Sequence, residues 1–151
     1  MADDPLRTIG VIAKILDSIA NIEFKQYQLT RGQYMYLTRI CEHPGLTQTE
    51  LIDLLKVDRA TATRAVQRLE EHGFVRREVD QQDRKLKHIW PTDHAQTVYP
   101  RIKAENDFST QVALAGFSDA EAQQLSELLA RMQQNLDGSW DFVKQGGQRE
   151  Y

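Results

Sequence analysis

Apolar residues recur along most of this chain with a helical period, and the polar positions between them mark where each helix starts and stops. Ile9, Ile12, Ala13, Leu16, Ile19 and Ala20 repeat at three- and four-residue intervals, which predicts a first helix over about 6–24. Hydroxyl residues followed three positions later by Glu or Gln form capping-box patterns at Thr30–Gln33, Thr47–Glu50 and Ser118–Glu121. The first box predicts a helix over 31–42, with Tyr34, Leu37 and Ile40/Cys41 inward. The second predicts a short helix over 48–55, with Leu51, Leu54 and Leu55 apolar, and the third a helix from 119 to about 143. On that last helix Leu125, Leu128, Leu129, Met132, Leu136 and Trp140 lie on one stripe. Gly45 and Gly73 suit left-handed positions where helices close.

Lys56-Val57 reads as a tight turn and Asp58 as the N-cap of a helix that ends at Gly73. The pattern then switches. "FVRREV" (74–79) and "LKHIW" (86–90) are rich in β-branched and aromatic residues, and the polar "DQQDRK" lies between them, which predicts a β-hairpin. Pro91 ends its second strand, and Thr92 caps a long helix to about 115. The tail "KQGGQREY" is expected to fray. The order of short helix, turn, helix and two-stranded hairpin is that of a winged helix-turn-helix, whose second helix lies in the major groove of DNA.

The sequence "DRATATRAVQRLEEHG" (58–73) fits that role in its composition. Ala62, Ala65, Val66 and Leu69 share one face, and the alanines allow close packing on the preceding helix. The opposite face carries Arg59, Thr61, Thr63, Arg64, Gln67 and Arg68. A major groove about 12 Å wide admits little more than a helix with its side chains. Threonine there bonds phosphates or touches a thymine methyl, and arginine grips guanine through two hydrogen bonds. Helical propensity alone favours Leu, Glu or Lys over these threonines. Arg84 and Lys85 stand at the hairpin tip, placed for the backbone or a narrow minor groove. Asp83 is a candidate to orient one of them through a charge-assisted bond.

Charge sharpens this picture. The 151 residues carry a net charge of −3, which taken alone disfavours nucleic acid. Yet Lys56 to His88 holds nine Lys/Arg against six Asp/Glu, while the remainder holds ten against sixteen. A basic centre in an acidic body is the footprint of a DNA reader whose other surfaces avoid DNA. No stretch approaches the roughly 18 apolar residues of a membrane span, and "MADDPLRT" lacks the apolar run of a secretory signal. One cysteine, Cys41, allows no internal disulfide, so a cytoplasmic protein is expected.

Residues 47–95, "TQTELIDLLKVDRATATRAVQRLEEHGFVRREVDQQDRKLKHIWPTDHA", resemble the helix-turn-helix and wing of the MarR family of bacterial and archaeal transcriptional regulators, and the helical order on both sides matches over nearly the whole chain. The family's wing pattern is Asp-x-Arg, followed after a strand by Leu-Thr and a helix. Here it stands as Asp83-Arg84-Lys85 and Pro91-Thr92, with Lys for the usual Arg and Pro for the usual Leu. Either Arg84 or Lys85 then fills the minor-groove role, Lys as a point charge rather than a fork. The resemblance implies a mainly α fold with a small β-hairpin wing. It divides one domain into a winged helix-turn-helix lobe (about 30–91) and dimerisation helices (about 5–25 and 92–145). It also implies a homodimer that binds a palindromic operator on double-stranded DNA, acting as a repressor. Physically, the stripes on 9–20 and 125–140 exceed what one thin protomer buries, which calls for a partner; the alternative is that they cover each other within one chain.

Relatives are often released from DNA by a small aromatic or anionic ligand, so a small-molecule effector is a possible partner. Tyr34, Tyr36, Arg39 and Trp90 are the aromatic and basic candidates, though each reads first as ordinary packing or surface and none is assigned. Cys41 lies late on the apolar side of its helix and reads as a structural thiol. His72, His88 and His94 are scattered away from Cys41-Glu42-His43, so no metal or other cofactor is expected. Nor does any nucleophile–base pair or Gly-rich phosphate loop suggest an enzyme. A winged helix that binds protein instead of DNA is the competing function, and apolar residues on the outer face of 58–73 would favour it.

Overall fold

A computed structural model describes residues 4–151; Met1–Asp3, part of the acidic start read above, lie outside the described residues. The elements run α1 (Pro5–Glu23), a 3₁₀ turn (Phe24–Tyr27), α2 (Gln33–Glu42), β1 (Leu46–Thr47), α3 (Gln48–Leu55), α4 (Arg59–Glu71), β2 (Val75–Val79), β3 (Lys87–Pro91), α5 (Asp93–Ala113) and α6 (Asp119–Lys144). Two compact units divide the chain, the first ending at Asp107 and the second spanning Phe108–Tyr151.

In the first unit, Leu37 and Ile40 of α2, Leu51 of α3, Ala62, Val66 and Leu69 of α4, Phe74, and Ile89 of β3 are fully buried together. These are the apolar faces that the helical period selected, and their burial is the main force holding the lobe together. β1 pairs with β3, and β3 with β2, all antiparallel. The sequence pattern missed β1: two residues cannot show alternation, and its partner Ile89 lies 43 positions from Leu46. Its path is set by Gly45, at φ 86°, where an added Cβ would meet the Trp90 ring at 2.8 Å.

The capping boxes at Thr47–Glu50 and Ser118–Glu121 both form, each with its two reciprocal bonds. The third does not. Arg31 (φ 57°) and Gly32 (φ 73°) take left-handed angles, so α2 starts at Gln33 with Gly32 as its N-cap and no side-chain cap. Gln33 is buried instead of reaching back to Thr30. Pro91 closes β3 from inside the strand, and the Thr92 hydroxyl accepts the Ala95 amide hydrogen bond at the start of α5.

The terminal helices expose their apolar residues. On α1 only Ala20 is buried, while Ile12, Ile15, Leu16 and Ile19 are between 37% and 52% exposed. α6 buries none of its residues, and Leu128, Leu129 and Leu136 are at least 40% exposed. Among the described residues no helix is long and apolar enough to cross a membrane.

Candidate nucleic-acid interface

Asp58 fixes where α4 begins. Its carboxylate accepts the Thr61 amide at 2.8 Å and the Thr61 hydroxyl at 2.6 Å. These bonds hold the Asp58 carboxyl below its ordinary range, the Thr61 side-chain bond being the largest cause. A lowered pKa means that the capped state prefers the ionised form. Its contribution is complete above the ordinary carboxylate range and is lost as pH falls through the lowered value. Protection of the Thr61 amide against hydrogen exchange should therefore be flat around neutrality and fall only in acid; loss near pH 7 would contradict this capping role.

Along α4 the inner row, Ala62, Val66 and Leu69, is fully buried, and Ala65 partly so. Arg59, Thr63, Arg64, Gln67 and Arg68 are exposed and Thr61 is half-buried, so the structure gathers all six sequence-selected helix residues on and beside one outward surface. Two of the three hydroxyl and amide positions are not idle. Thr63 donates to the Arg59 carbonyl at 2.8 Å and accepts from Gln48 Nε2 of α3 at 2.8 Å, a brace between the paired helices. Thr61 receives a longer contact from Arg64 Nη2 at 3.5 Å. An Asp58–Thr61–Arg64 chain thus restrains the guanidinium at the head of the helix. At its far end, Arg77 of β2 grips Glu70 with two bonds of 2.8 and 3.0 Å, which lowers the Glu70 pKa and neutralises an acid beside the basic face.

The wing is built from backbone bonds. The Asp80 amide donates to the Leu86 carbonyl at 2.9 Å, and the Leu86 amide to the Asp83 carbonyl at 3.0 Å. Asp83 Oδ1 accepts the Lys85 amide at 3.0 Å, so this carboxylate shapes the turn through the main chain and not through a guanidinium or ammonium group. Arg84 and Lys85 are exposed at the tip, away from the α4 surface along the chain but in the same lobe. On the sheet behind them Arg76 stacks over Trp90 at 5.6 Å and pairs with Glu78.

The effector candidates separate. Tyr34 and Arg39 line a cleft of about 460 Å³ with Thr38, Tyr99 and Lys103. Its two cations are already engaged, Arg39 by Glu42 at 3.0 Å and Lys103 by Asp107 at 2.8 Å. Tyr36 lines a different cleft, beside α4, and Trp90 belongs to the sheet. Burial pushes the Cys41 thiol up to about 11, which keeps it a poor nucleophile. Among the described residues no group of three or more His, Cys, Asp or Glu is placed to hold a metal.

Comparison with known proteins identifies the fold and the family. A family model described as MarR family matches residues 29–87, which run from the turn before α2 to the first residue of β3. The HTH-type transcriptional regulator YybA of Bacillus subtilis is 48% identical over 149 residues, covering 99% of both chains. A MarR-family regulator from Listeria monocytogenes, solved in complex with a 26mer DNA, is 46% identical over the full length of both chains with a TM-score of 0.96. The transcriptional regulator SlyA in its crystal structure is 53% identical, with a TM-score of 0.90 over 93% of this chain and 99% of that one. With its winged-helix lobe and full-length likeness to these proteins, the chain belongs to the MarR family of transcriptional regulators.

Proposed function

We propose that this protein is a cytoplasmic, non-catalytic repressor that binds a palindromic site on double-stranded DNA as a homodimer. α4 enters the major groove, and Arg84 and Lys85 of the wing meet the adjacent backbone or minor groove. The observation that carries this reading is the outward surface of α4. None of the large apolar side chains exposed among the described residues lies on this helix, whereas Arg59, Arg64, Gln67 and Arg68 do. A protein-docking face needs an apolar centre, and a DNA-reading face needs donors and positive charge. Most of the exposed apolar residues lie instead on α1, α5 and α6, where a second copy would cover them. The Listeria relative crystallised with DNA supports the same assignment.

Regulation by a small aromatic or anionic ligand is supported by the cleft lined by Tyr34, Arg39, Tyr99 and Lys103. Its occupant would compete with Glu42 and Asp107 for the two cations.

Fluorescence anisotropy of labelled duplexes over a salt series tests DNA binding. Wild-type protein should bind with log-linear salt dependence. Lys85→Ala should weaken all sequences alike and make the slope shallower by about one, the signature of a lost phosphate contact. No binding at low salt by folded wild-type protein would refute the proposal. An unchanged slope in Lys85→Ala would remove the wing tip from the interface.

A further inference from the structure

A second cleft, of about 230 Å³, opens between the start of α2 and the flank of α4, lined by Arg31, Gln33, Tyr36, Thr61, Arg64 and Arg68. Three guanidinium groups meet here, and no carboxylate lines it. At its wall Gln33 is only 2% exposed, and its Oε1 is buried without a hydrogen-bond partner. A buried amide left unsatisfied is costly, and native proteins rarely keep one that nothing engages. Arg31 adds a second oddity. It holds φ 57°, where glycine is favoured, and it does so beside Gly32 at φ 73°.

We infer that this cleft seats a backbone phosphate of the bound duplex, with Arg31 as its main cationic contact. A phosphodiester offers only acceptors, and the lining supplies donors: the guanidinium forks of Arg31 and Arg68, which match phosphate geometry, and the hydroxyl of Tyr36. The Gln33 carboxamide, turned end for end, presents Nε2 where Oε1 now lies, giving the buried amide a partner in the complex. Location favours DNA over other sources of the same chemistry. Thr61, Arg64 and Arg68 belong both to the cleft and to the α4 residues assigned to the duplex, so a strand lying along α4 passes the cleft mouth. This inference rests on the DNA-binding reading and extends it to α2, outside the helix-turn-helix and the wing. A free oxyanion would satisfy the same groups, and the experiment separates the two.

The full chain and its Arg31→Ala variant are titrated by anisotropy against a preferred duplex and an unrelated one across a salt series. Arg31→Ala should lose roughly fivefold to tenfold on both duplexes, with a slope shallower by about one and the ratio between duplexes unchanged. Arg31→Gly relieves the left-handed conformation, so it should melt no lower than wild type yet lose the same affinity, which separates the side chain from the fold. If wild type binds and both variants match it in affinity and slope, the phosphate seat is wrong while the DNA reading stands. If folded wild type binds neither duplex, the DNA reading itself fails. Inorganic phosphate added at constant ionic strength is the remaining arm. Competition with DNA that disappears in Arg31→Ala, at an unchanged salt slope, would assign the cleft to a free oxyanion and overturn the duplex assignment.

Discussion

Arg64→Ala is expected to weaken binding to the preferred duplex by about 1–3 kcal/mol and to relax base preference at the position it faces. The guanidinium is exposed near the head of α4, and its Nη2 lies 3.5 Å from Thr61 Oγ1, itself held by Asp58. A side chain restrained before binding loses less freedom on docking, so its base contact is worth more. The loss should be larger on the preferred duplex than on an unrelated one. That distinguishes Arg64 from the phosphate contacts proposed for Lys85 and Arg31, whose losses should be uniform. Arg64 is exposed and is not one of the buried apolar residues of the core, so melting should be little changed. Equal losses on both duplexes would reassign Arg64 to the backbone, and no loss on either would remove it from the interface.

Ile12→Asp is expected to convert the protein to a monomer and to abolish binding to a two-half-site duplex at concentrations where wild type saturates. Ile12 is 49% exposed on α1, in a row with Ile15, Leu16 and Ile19 that no other part of the first unit buries. In a two-fold interface each substitution occurs twice, so two carboxylates would be taken from water without partners. Each such ion costs several kcal/mol, more than one lost apolar contact. The lobe's own core (Leu37, Leu51, Val66, Leu69 and Phe74) does not include Ile12, so the variant should keep its helical content. Sedimentation analysis reads the outcome. A variant that remains dimeric at micromolar concentration would place the dimer contact elsewhere.

What the sequence disclosed, and what it withheld, follow the range of the interactions involved. α3 appeared at its observed bounds because Thr47 and Glu50 announce its start three residues apart, within one turn. The outer and inner rows of α4 separated because a period of 3.6 sorts Arg64 and Arg68 from Val66 and Leu69 without knowledge of any neighbour. The Thr30 box misled for an equally local reason. It satisfies the pattern, but Gly32 beside Arg31 lets the backbone turn left-handed before the helix can begin. β1 and the Gly45–Trp90 approach were beyond reach, since each depends on a strand some forty residues away. The brace from Gln48 to Thr63 and the cleft that joins Arg31 to Arg68 are likewise products of packing. Among the residues proposed for the interface Arg31 was missed for this reason. The signal available in the sequence was an arginine directly before a glycine at a predicted helix start, which by itself points to no ligand.

In the proposed complex the outward face of α4 reads base edges of the duplex. Selection of bound fragments from a random DNA pool by the wild-type protein tests it most directly. The predicted result is enrichment of an inverted repeat whose half-sites are centred about one helical turn apart, or a multiple of it, with preference at one position per half-site lost when the selection is repeated with Arg64→Ala. Folded wild-type protein that enriches no sequence over the starting pool, or an Arg64→Ala selection that returns the same repeat with every position intact, would contradict it.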